Sequence, residues 1–177
     1  KERKIQTKEY KYFLLGENRI GFSIMKTFKK MHKDYVVIDY DPEIIKKLNA
    51  DGVSCIYGDI SNIDFLDDLN FKKAKLVVST IPDKETNIVL LRHIRRVNNQ
   101  AIVLVTAHEI NETLELYNHG ADYVMLSHFL GGNYMSKIIE HAKGNRAKYK
   151  EHRKIQKKDL EERMERGHQH PRIDKNK

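Results

Sequence analysis

Short apolar runs alternate with stretches of helical periodicity along residues 11–143. Within several runs almost every side chain is apolar, which is typical of strands buried on both faces of a sheet. Between the runs, apolar residues recur every three to four positions, which predicts helices. The six predicted strands are 12–15, 35–39, 53–57, 74–80, 101–106 and 122–126.

Several helix boundaries are marked by residues that commonly start or end helices. Asp41 is placed to cap a helix opened by Pro42, Asp83 to cap the fourth helix, and Gly120 to end the fifth. The sixth helix is predicted to start near Gly132. The apolar positions expected to face the core are Ile20, Ile24, Phe28 and Met31 in the first helix, Ile44, Ile45 and Leu48 in the second, Ile88, Leu91, Ile94 and Val97 in the fourth, and Ile110, Leu114 and Tyr117 in the fifth.

The predicted order is a strand followed by a helix, repeated along the chain. Such alternation produces a parallel sheet covered by helices on both faces, with right-handed crossovers. The connections are short, so residues 11–143 are predicted to form one domain. The predicted fold class is therefore α/β, a Rossmann-like three-layer fold with a six-stranded parallel sheet.

The positive charge of the chain lies outside this domain. The 177 residues include 33 basic and 25 acidic ones, a net charge of +8. Residues 1–10 contribute +2 and residues 144–177 contribute +6, which leaves residues 11–143 neutral. A neutral domain argues against nucleic-acid binding, because such folds carry a basic patch on the domain itself. We interpret 1–10 as a linker and 144–177 as a basic tail, helical over 146–166 and disordered from 167.

Composition and spacing exclude several further classes of protein. The longest apolar runs fall far short of the roughly 20 residues of a membrane span, and the charged N-terminus does not resemble a signal peptide. A single cysteine, Cys55, excludes an internal disulfide framework. The nine histidines lack metal-ligand spacing and no nucleophile motif is present, so we expect neither a metal site nor a catalytic residue. Because the chain starts at Lys1, we expect it to be a piece of a longer protein.

A phosphate-binding fingerprint follows the first predicted strand. Residues 16–21, Gly-Glu-Asn-Arg-Ile-Gly, match the dinucleotide pattern G-x-G-x-x-G with asparagine at the middle glycine. Gly16 would make the tight turn, Gly21 would let helix and strand pack closely, and the helix N-terminus would offer amides to phosphate. Arg19 is placed to reach phosphate oxygens. Asn18 tolerates such a turn and offers an amide donor, although its side chain projects where the backbone should approach a pyrophosphate.

An acidic residue stands at the distance that this fingerprint requires. Asp39 ends the second predicted strand, 18 residues after the last glycine. A carboxylate there accepts hydrogen bonds from ribose hydroxyls and repels a 2′-phosphate, so it favours adenosine, NAD or ATP-like ligands over NADP. Asp59 after the third strand, and Ser79 and Thr80 at the end of the fourth, lie at the same sheet edge. A local role remains open for two of them: Asp59 as a helix cap or in a turn, and Thr80 as a strand-end hydroxyl bonded to nearby backbone. A further alternative is that Gly16 and Gly21 only build the turn and that the ligand site is vestigial.

The chain resembles a known family over nearly all of residues 11–143. It resembles the TrkA-N domain, also called the RCK N-lobe, which is the nucleotide-binding regulatory domain of potassium channels, potassium uptake systems and cation/proton antiporters. The resemblance is closest to the domain that follows the membrane part of monovalent cation/proton antiporters. The stretches that carry it are GENRIG (16–21), VVIDYDPE (36–43), YGDISN (57–62), LVVSTIPDKETN (76–87), IVLVTAHEINETLELYNHGADYVML (102–126) and HFLGG (128–132).

The resemblance implies a non-catalytic regulatory domain on the cytoplasmic side of the cell membrane. Its ligand would be NAD(H) or an adenine nucleotide (ATP, ADP or AMP), and its partner an integral-membrane transporter of potassium or sodium, in the same chain or an associated subunit. Such domains pair as homodimers through the last helix, here 132–143. The implied ligand residues are Gly16, Asn18, Arg19, Ile20 and Gly21 at the phosphates, Asp39 on the ribose, Asp59 and Ile60 near the adenine, and Ser79 and Thr80 at the sheet edge.

Two other functions remain open, an NAD-dependent oxidoreductase fragment and a Rossmann-like interaction module with an empty cleft. An oxidoreductase usually needs a substrate domain, and only 34 largely polar residues follow the predicted fold. For the basic tail, a solvated charged helix and a weak contact with anionic lipid are the main alternatives. Binding of RNA is disfavoured because aromatic residues that would stack on bases are nearly absent from the tail.

Overall fold

The computed structural model describes residues 8–168 of the chain. The chain divides into two compact units, Lys1–His128 and Phe129–Lys177. The strands are β1 (Tyr12–Leu15), β2 (Tyr35–Asp39), β3 (Cys55–Tyr57), β4 (Leu76–Ser79), β5 (Ile102–Ala107) and β6 (Tyr123–Leu126). The helices are α1 (Arg19–Lys30), α2 (Pro42–Ala50), α3 (Ile63–Asp68), α4 (Lys84–Val97), α5 (Ile110–Asn118), α6 (Ser127–Ala142) and α7 (Arg146–Glu165).

The six strands form one parallel sheet in the order β3-β2-β1-β4-β5-β6. At its centre, Leu14 of β1 is in register with Val37 of β2 and with Val78 of β4. The chain therefore builds outward from β1 in one direction and then returns to build outward in the other. This confirms the predicted Rossmann-like α/β fold, and it places the reversal of strand order between β1 and β4.

Alternate side chains of the central strands pack in two apolar layers, one on each face of the sheet. On one face, Leu14 packs in a cluster with Phe22, Met25 and Phe28 of α1. The opposite face holds Phe13 and Leu15 together with the apolar sides of α3, α4 and α5. Because both faces are covered, the strands are almost wholly apolar, as the sequence indicated.

The structure corrects two of the predicted helix faces. In α1 the buried stripe is Phe22, Met25 and Phe28, whereas Met31 lies just past the helix and is 50% exposed. Phe22 and Met25 face the sheet, whereas the predicted Ile20 and Ile24 lie beside this stripe and are only partly buried.

In α5, the predicted stripe of Ile110, Leu114 and Tyr117 lies on the exposed side of the helix, with 61% and 62% of the first two exposed. Thr113 and Leu116 are buried instead. Thr113 can be buried because its hydroxyl donates to the Glu109 carbonyl oxygen over 3.0 Å, so the polar group is satisfied within the helix.

The first unit starts before the predicted boundary at residue 11. Tyr10 is 5% exposed and packs against Phe13, with ring centroids 6.4 Å apart. Lys8 also contacts the first unit, through an ion pair with Asp34 over 3.0 Å. Residues 8–10 therefore belong to the folded unit rather than to a linker, and the rest of the predicted linker lies outside the described residues.

The second unit contains most of α6 and all of α7. The sixth helix starts at Ser127, earlier than the predicted Gly132, because a glycine pair within a helix costs only about 1 kcal/mol per residue and does not end it. The first compact unit accordingly ends at His128 rather than at residue 143. The charged helix predicted over 146–166 is confirmed as α7, and the Asn145 side chain caps it by accepting the Ala147 N–H over 2.9 Å. The stretch predicted to be disordered lies outside the described residues from position 169.

Candidate functional site

The turn between β1 and α1 is built on two glycines that no other residue can replace without displacement. Gly16 has φ +89°, and a Cβ there would lie 2.7 Å from the Thr80 hydroxyl oxygen. A Cβ on Gly21 would overlap the Gly16 carbonyl oxygen. The positive φ of Gly16 agrees with its predicted role in a tight turn, whereas Gly21 packs against the Gly16 backbone of the loop and not, as was predicted, against a strand.

The Asp39 side chain is held against this turn by hydrogen bonds from two backbone N–H groups. The side chain is 7% exposed, and its carboxylate accepts the Glu17 N–H over 2.8 Å and the Asp41 N–H over 2.9 Å. The carboxylate at the end of β2 therefore lies directly beside the loop that leaves β1. Its position suits hydrogen bonds from the hydroxyls of a ribose whose phosphate is near α1.

Asn18 is the N-cap of α1 and also contacts the end of β4. Its side-chain oxygen accepts the N–H groups of Ile20 and Gly21, each over 3.0 Å. Its side-chain nitrogen donates to the Thr80 carbonyl oxygen over 3.1 Å. The Thr80 hydroxyl in turn donates to the Gly16 carbonyl oxygen over 2.8 Å, so the ends of β1 and β4 are joined by two side chains.

The structure brings most of the predicted phosphate and ribose residues to one place, the carboxyl edge of the sheet between β2 and β4. Arg19 is the first residue of α1 and is exposed there. The members joined by the contacts above are Gly16, Asn18, Ile20, Gly21, Asp39 and Thr80.

The predicted adenine residues are placed less directly. The Gly58 N–H donates to the Asp39 carbonyl oxygen over 3.0 Å, so the end of β3 lies beside the site. Asp59 follows, but its carboxylate accepts the N–H and hydroxyl of Ser61 over 2.9 and 2.8 Å, which is the turn left open as an alternative. Ile60 is 2% exposed and its side chain packs in the core, so very little of this residue is accessible to a ligand.

The side chain of Ser79 is fully buried rather than exposed at the sheet edge. Its hydroxyl has no hydrogen-bond partner among residues 8–168. Its carbonyl oxygen accepts the Thr106 hydroxyl over 2.9 Å, which links β4 to β5. Ser79 therefore supports the strand ends beneath the site instead of lining it.

Asn87 is a supporting residue that the sequence reasoning missed. Its side chain in α4 is fully buried and donates to the Ile81 carbonyl oxygen over 2.8 Å and to that of Thr106 over 3.0 Å. These two bonds fasten the loop after β4 to the end of β5. The available signal was an asparagine directly before the apolar stretch that begins at Ile88.

Two titratable groups beside the core have shifted pKa values. The Asp83 carboxylate caps α4 by accepting the Thr86 N–H over 2.8 Å, and hydrogen bonds from Thr86 lower its pKa. Burial lowers the pKa of His93, against the opposing effect of Asp67, whose carboxylate oxygen is 3.3 Å from its Nδ1. Within residues 8–168, no three His, Cys, Asp or Glu side chains come together as metal ligands.

A doubly wound parallel sheet, with a glycine turn and a buried carboxylate at the reversal of strand order, defines the Rossmann-like class of domains. The family model of the TrkA-N domain matches residues 12–127, so the chain belongs to the TrkA-N domain family. The resemblance inferred from the sequence motifs is confirmed. None of the helices described between residues 8 and 168 has the length and apolar character to cross a membrane.

Two relatives of known name are similar in sequence over part of their length. Potassium channel protein 1 of Methanocaldococcus jannaschii is 26% identical over 129 residues, which are 72% of this chain and 39% of that protein. The glutathione-regulated potassium-efflux system protein KefC of Escherichia coli is 23% identical over 118 residues, which are 67% of this chain and 19% of that protein. The chain therefore spans well under half of either relative.

Solved structures share the fold at low identity. The TrkA-N domain of the inner membrane protein YbaL from Escherichia coli has a TM-score of 0.66 at 20% identity, covering 72% of this chain and 95% of that one. The GsuK channel bound to NAD has a TM-score of 0.59 at 16% identity, covering 68% and 22%. The Kef C-terminal domain of Shewanella denitrificans in its AMP-bound form has a TM-score of 0.59 at 16% identity, covering 84% and 91%.

Proposed function

We propose that this chain is a regulatory nucleotide-binding domain that controls a transporter of potassium or another monovalent cation. The observation that carries the proposal is the Asp39 carboxylate, which is held 2.8 Å from the Glu17 N–H at the mouth of the glycine turn. This arrangement puts a ribose acceptor and a helix N-terminus within the span of one nucleotide. The ligand is NAD(H) or an adenine nucleotide, as the names of the GsuK and Kef structures support.

The proposed role of each residue follows from its place in the site. Asp39 accepts the ribose hydroxyls, while Arg19 and the first turn of α1 face the phosphate. The backbone around Asp59 borders the adenine. The arrangement binds but supplies no nucleophile activated by a base, so the domain is proposed to act without catalysis. Binding would then regulate transport through a difference in affinity between two arrangements of the domain.

The proposed partner is an integral-membrane cation transporter, in the same chain or in an associated subunit. A cation/proton antiporter is supported by the similarity to KefC, and a channel by the similarity to potassium channel protein 1. We favour the antiporter because the Kef C-terminal domain matches 84% of this chain and 91% of its own chain. The domain would then lie on the cytoplasmic side of the cell membrane.

Two further contacts are proposed for the second unit. A homodimer would form through residues 132–143 of α6, where Met135 and Ile139 are 55% and 54% exposed. The second contact would be a weak one between α7 and anionic lipid, because five basic residues lie on one face of this helix together with Glu161. They are Lys150, Arg153, Lys154, Lys157 and Lys158. Each basic residue near an anionic surface adds roughly 1 kcal/mol of attraction.

Calorimetric titration with AMP, ADP, ATP, NAD and NADH tests the proposal directly. We expect at least one of the five to bind, and Asp39→Ala to weaken that binding by about tenfold or more, since a hydrogen bond to a charged group contributes about 1.5–3 kcal/mol. Asp68→Ala, an exposed aspartate at the end of α3, is the matched control and should bind normally. Asp39→Asn, of nearly the same shape, separates loss of charge from loss of the loop contact.

Failure of all five nucleotides to bind would contradict the proposal and favour an interaction module with an empty cleft. Equal nucleotide affinity of wild type and Asp39→Ala would show that the Asp39 carboxylate does not bind the ligand, and the proposal would lose the observation on which it rests. Consumption of NADH with simple carbonyl substrates would support the oxidoreductase alternative instead.

A further inference from the structure

The side chain of Asn18 spans the place where the strand order reverses. Its oxygen is bonded to two N–H groups at the start of α1, which follows β1, and its nitrogen is bonded to the Thr80 carbonyl oxygen just past β4. Strands β1 and β4 are the neighbours on either side of that reversal. The carboxamide therefore bridges the two halves of the doubly wound sheet.

A dinucleotide has to cross this same place. In a doubly wound fold its two nucleosides lie over opposite halves of the sheet, and the pyrophosphate lies between them at the helix N-terminus. There the pyrophosphate oxygens accept hydrogen bonds from N–H groups of the first helical turn. In this chain the N–H groups of Ile20 and Gly21 already have the Asn18 oxygen as their acceptor, at 3.0 Å each. A pyrophosphate would have to displace it.

The adenosine side of the site is arranged differently. The Asp39 carboxylate ends β2, on the side of β1 away from β4, and it is bonded to the backbone of Glu17 and Asp41 rather than to Asn18. The end of β3 lies next to it through the bond from Gly58. A ligand confined to this half can use the carboxylate without disturbing the Asn18 carboxamide.

We infer that Asn18 is a specificity-determining residue that makes the site selective for adenosine mononucleotides over dinucleotides such as NAD. The inference rests on the nucleotide site proposed above and narrows its ligand class. A mononucleotide needs only the β1–β2–β3 half, with its phosphate bound by the exposed Arg19 at the first position of α1, so that both bonds of the Asn18 oxygen are kept. NAD must break both bonds of the Asn18 oxygen and pass the bridge to Thr80.

Titration of AMP and of NAD into wild type, Asn18→Gly and Asn18→Asp tests this inference. The backbone of Asn18 has φ −93° and ψ −166°, an extended conformation that any residue adopts, and glycine is an accepted N-cap residue. Asn18→Gly therefore removes the contact between α1 and Thr80 and leaves the N–H groups of Ile20 and Gly21 free for a phosphate. Asn18→Asp keeps an acceptor of the same length on the two N–H groups but cannot donate to Thr80, so it tests the blocked N–H groups separately from the bridge.

In wild type we expect the Kd of NAD to exceed that of AMP by about tenfold, the equivalent of two ordinary hydrogen bonds. In Asn18→Gly the ratio of the two constants should fall to about threefold or less. In Asn18→Asp both ligands should bind more weakly because of the added negative charge, and the ratio should stay above about threefold because the two N–H groups keep their acceptor. Should Asn18→Gly not fold, as judged by thermal melting, Asn18→Ser is measured instead. Serine caps the helix but is too short to reach Thr80, so it removes only the bridge, and a ratio unchanged from wild type would overturn the inference.

AMP binding with an equal affinity for NAD in wild type would overturn the inference and leave the nucleotide site intact. A ratio unchanged in the glycine variant would overturn it as well. If neither ligand binds to any variant, the proposed nucleotide site itself fails, and the inference fails with it.

Discussion

Removal of the Asn87 side chain provides a sharp test of how the site is supported. The side chain is fully buried, and its two N–H donors reach the carbonyl oxygens of Ile81 and Thr106 over 2.8 and 3.0 Å. Substitution of alanine leaves both carbonyl oxygens without this donor and opens a small cavity. A buried polar group left unsatisfied costs about 1–3 kcal/mol, so Asn87→Ala should lower the free energy of unfolding by about 2–4 kcal/mol.

Thermal unfolding followed by circular dichroism measures this loss. For a chain of this length, 1 kcal/mol corresponds to a shift of about 2–4 °C, so the Tm should fall by roughly 5–15 °C. Asn99→Ala removes an exposed asparagine near the end of the same helix and should shift the Tm little. If Asn87→Ala and Asn99→Ala unfold at the same temperature, Asn87 does not fasten the loop after β4 to β5, and the reasoning from its two bonds is wrong.

Two further outcomes follow from the structure. Gly21→Ala should lower the free energy of unfolding by about 1–3 kcal/mol in urea titration, because its Cβ would overlap the Gly16 carbonyl oxygen. The control is Gly52→Ala, which has open space around it and should show only the smaller cost of its positive φ. An equal loss in the two variants would contradict this reasoning. Because burial lowers the pKa of His93, the folded state disfavours its protonation, and stability should decline as the pH falls below about 6.5 toward the lowered pKa. His93→Gln should flatten this part of a plot of unfolding free energy against pH, and an unchanged slope would show that another group is responsible.

The sequence was sufficient for the sheet because most strands are short, nearly continuous apolar runs with a clear end. Asp39 was predictable for the same reason, as a charged residue that closes such a run at the required distance from Gly21. The position of the strand then determined where its carboxylate lies, and the contact with Glu17 followed from the turn.

Other features depend on packing that periodicity does not report. Ile110, Leu114 and Tyr117 form a regular apolar stripe, yet α5 buries the neighbouring stripe with Thr113 and Leu116. A helix that presents two plausible faces is oriented by the sheet beneath it, and the sheet is not visible to a local pattern.

The orientation of polar side chains was also beyond the pattern. The sequence suggested that Asn18 would project toward a ligand or offer its amide to a phosphate. The structure shows it bonded to its own helix and to Thr80, because the N–H groups that begin a helix have no acceptor within the helix and are satisfied by a nearby side chain. Such a contact depends on the distance between the ends of β1 and β4, which only the assembled sheet sets.

The two backbone bonds to the carboxylate of Asp39 have a kinetic consequence. Because this side chain is already oriented, an arriving sugar has little rotamer entropy to remove and no strand end to rebuild. Reorganisation of this side chain should therefore not limit the rates of nucleotide binding and dissociation. The fraction of domains with a bound nucleotide should follow the free nucleotide concentration closely. In the nucleotide-binding role proposed above, a side chain oriented in this way would let the domain respond promptly to a change in nucleotide concentration.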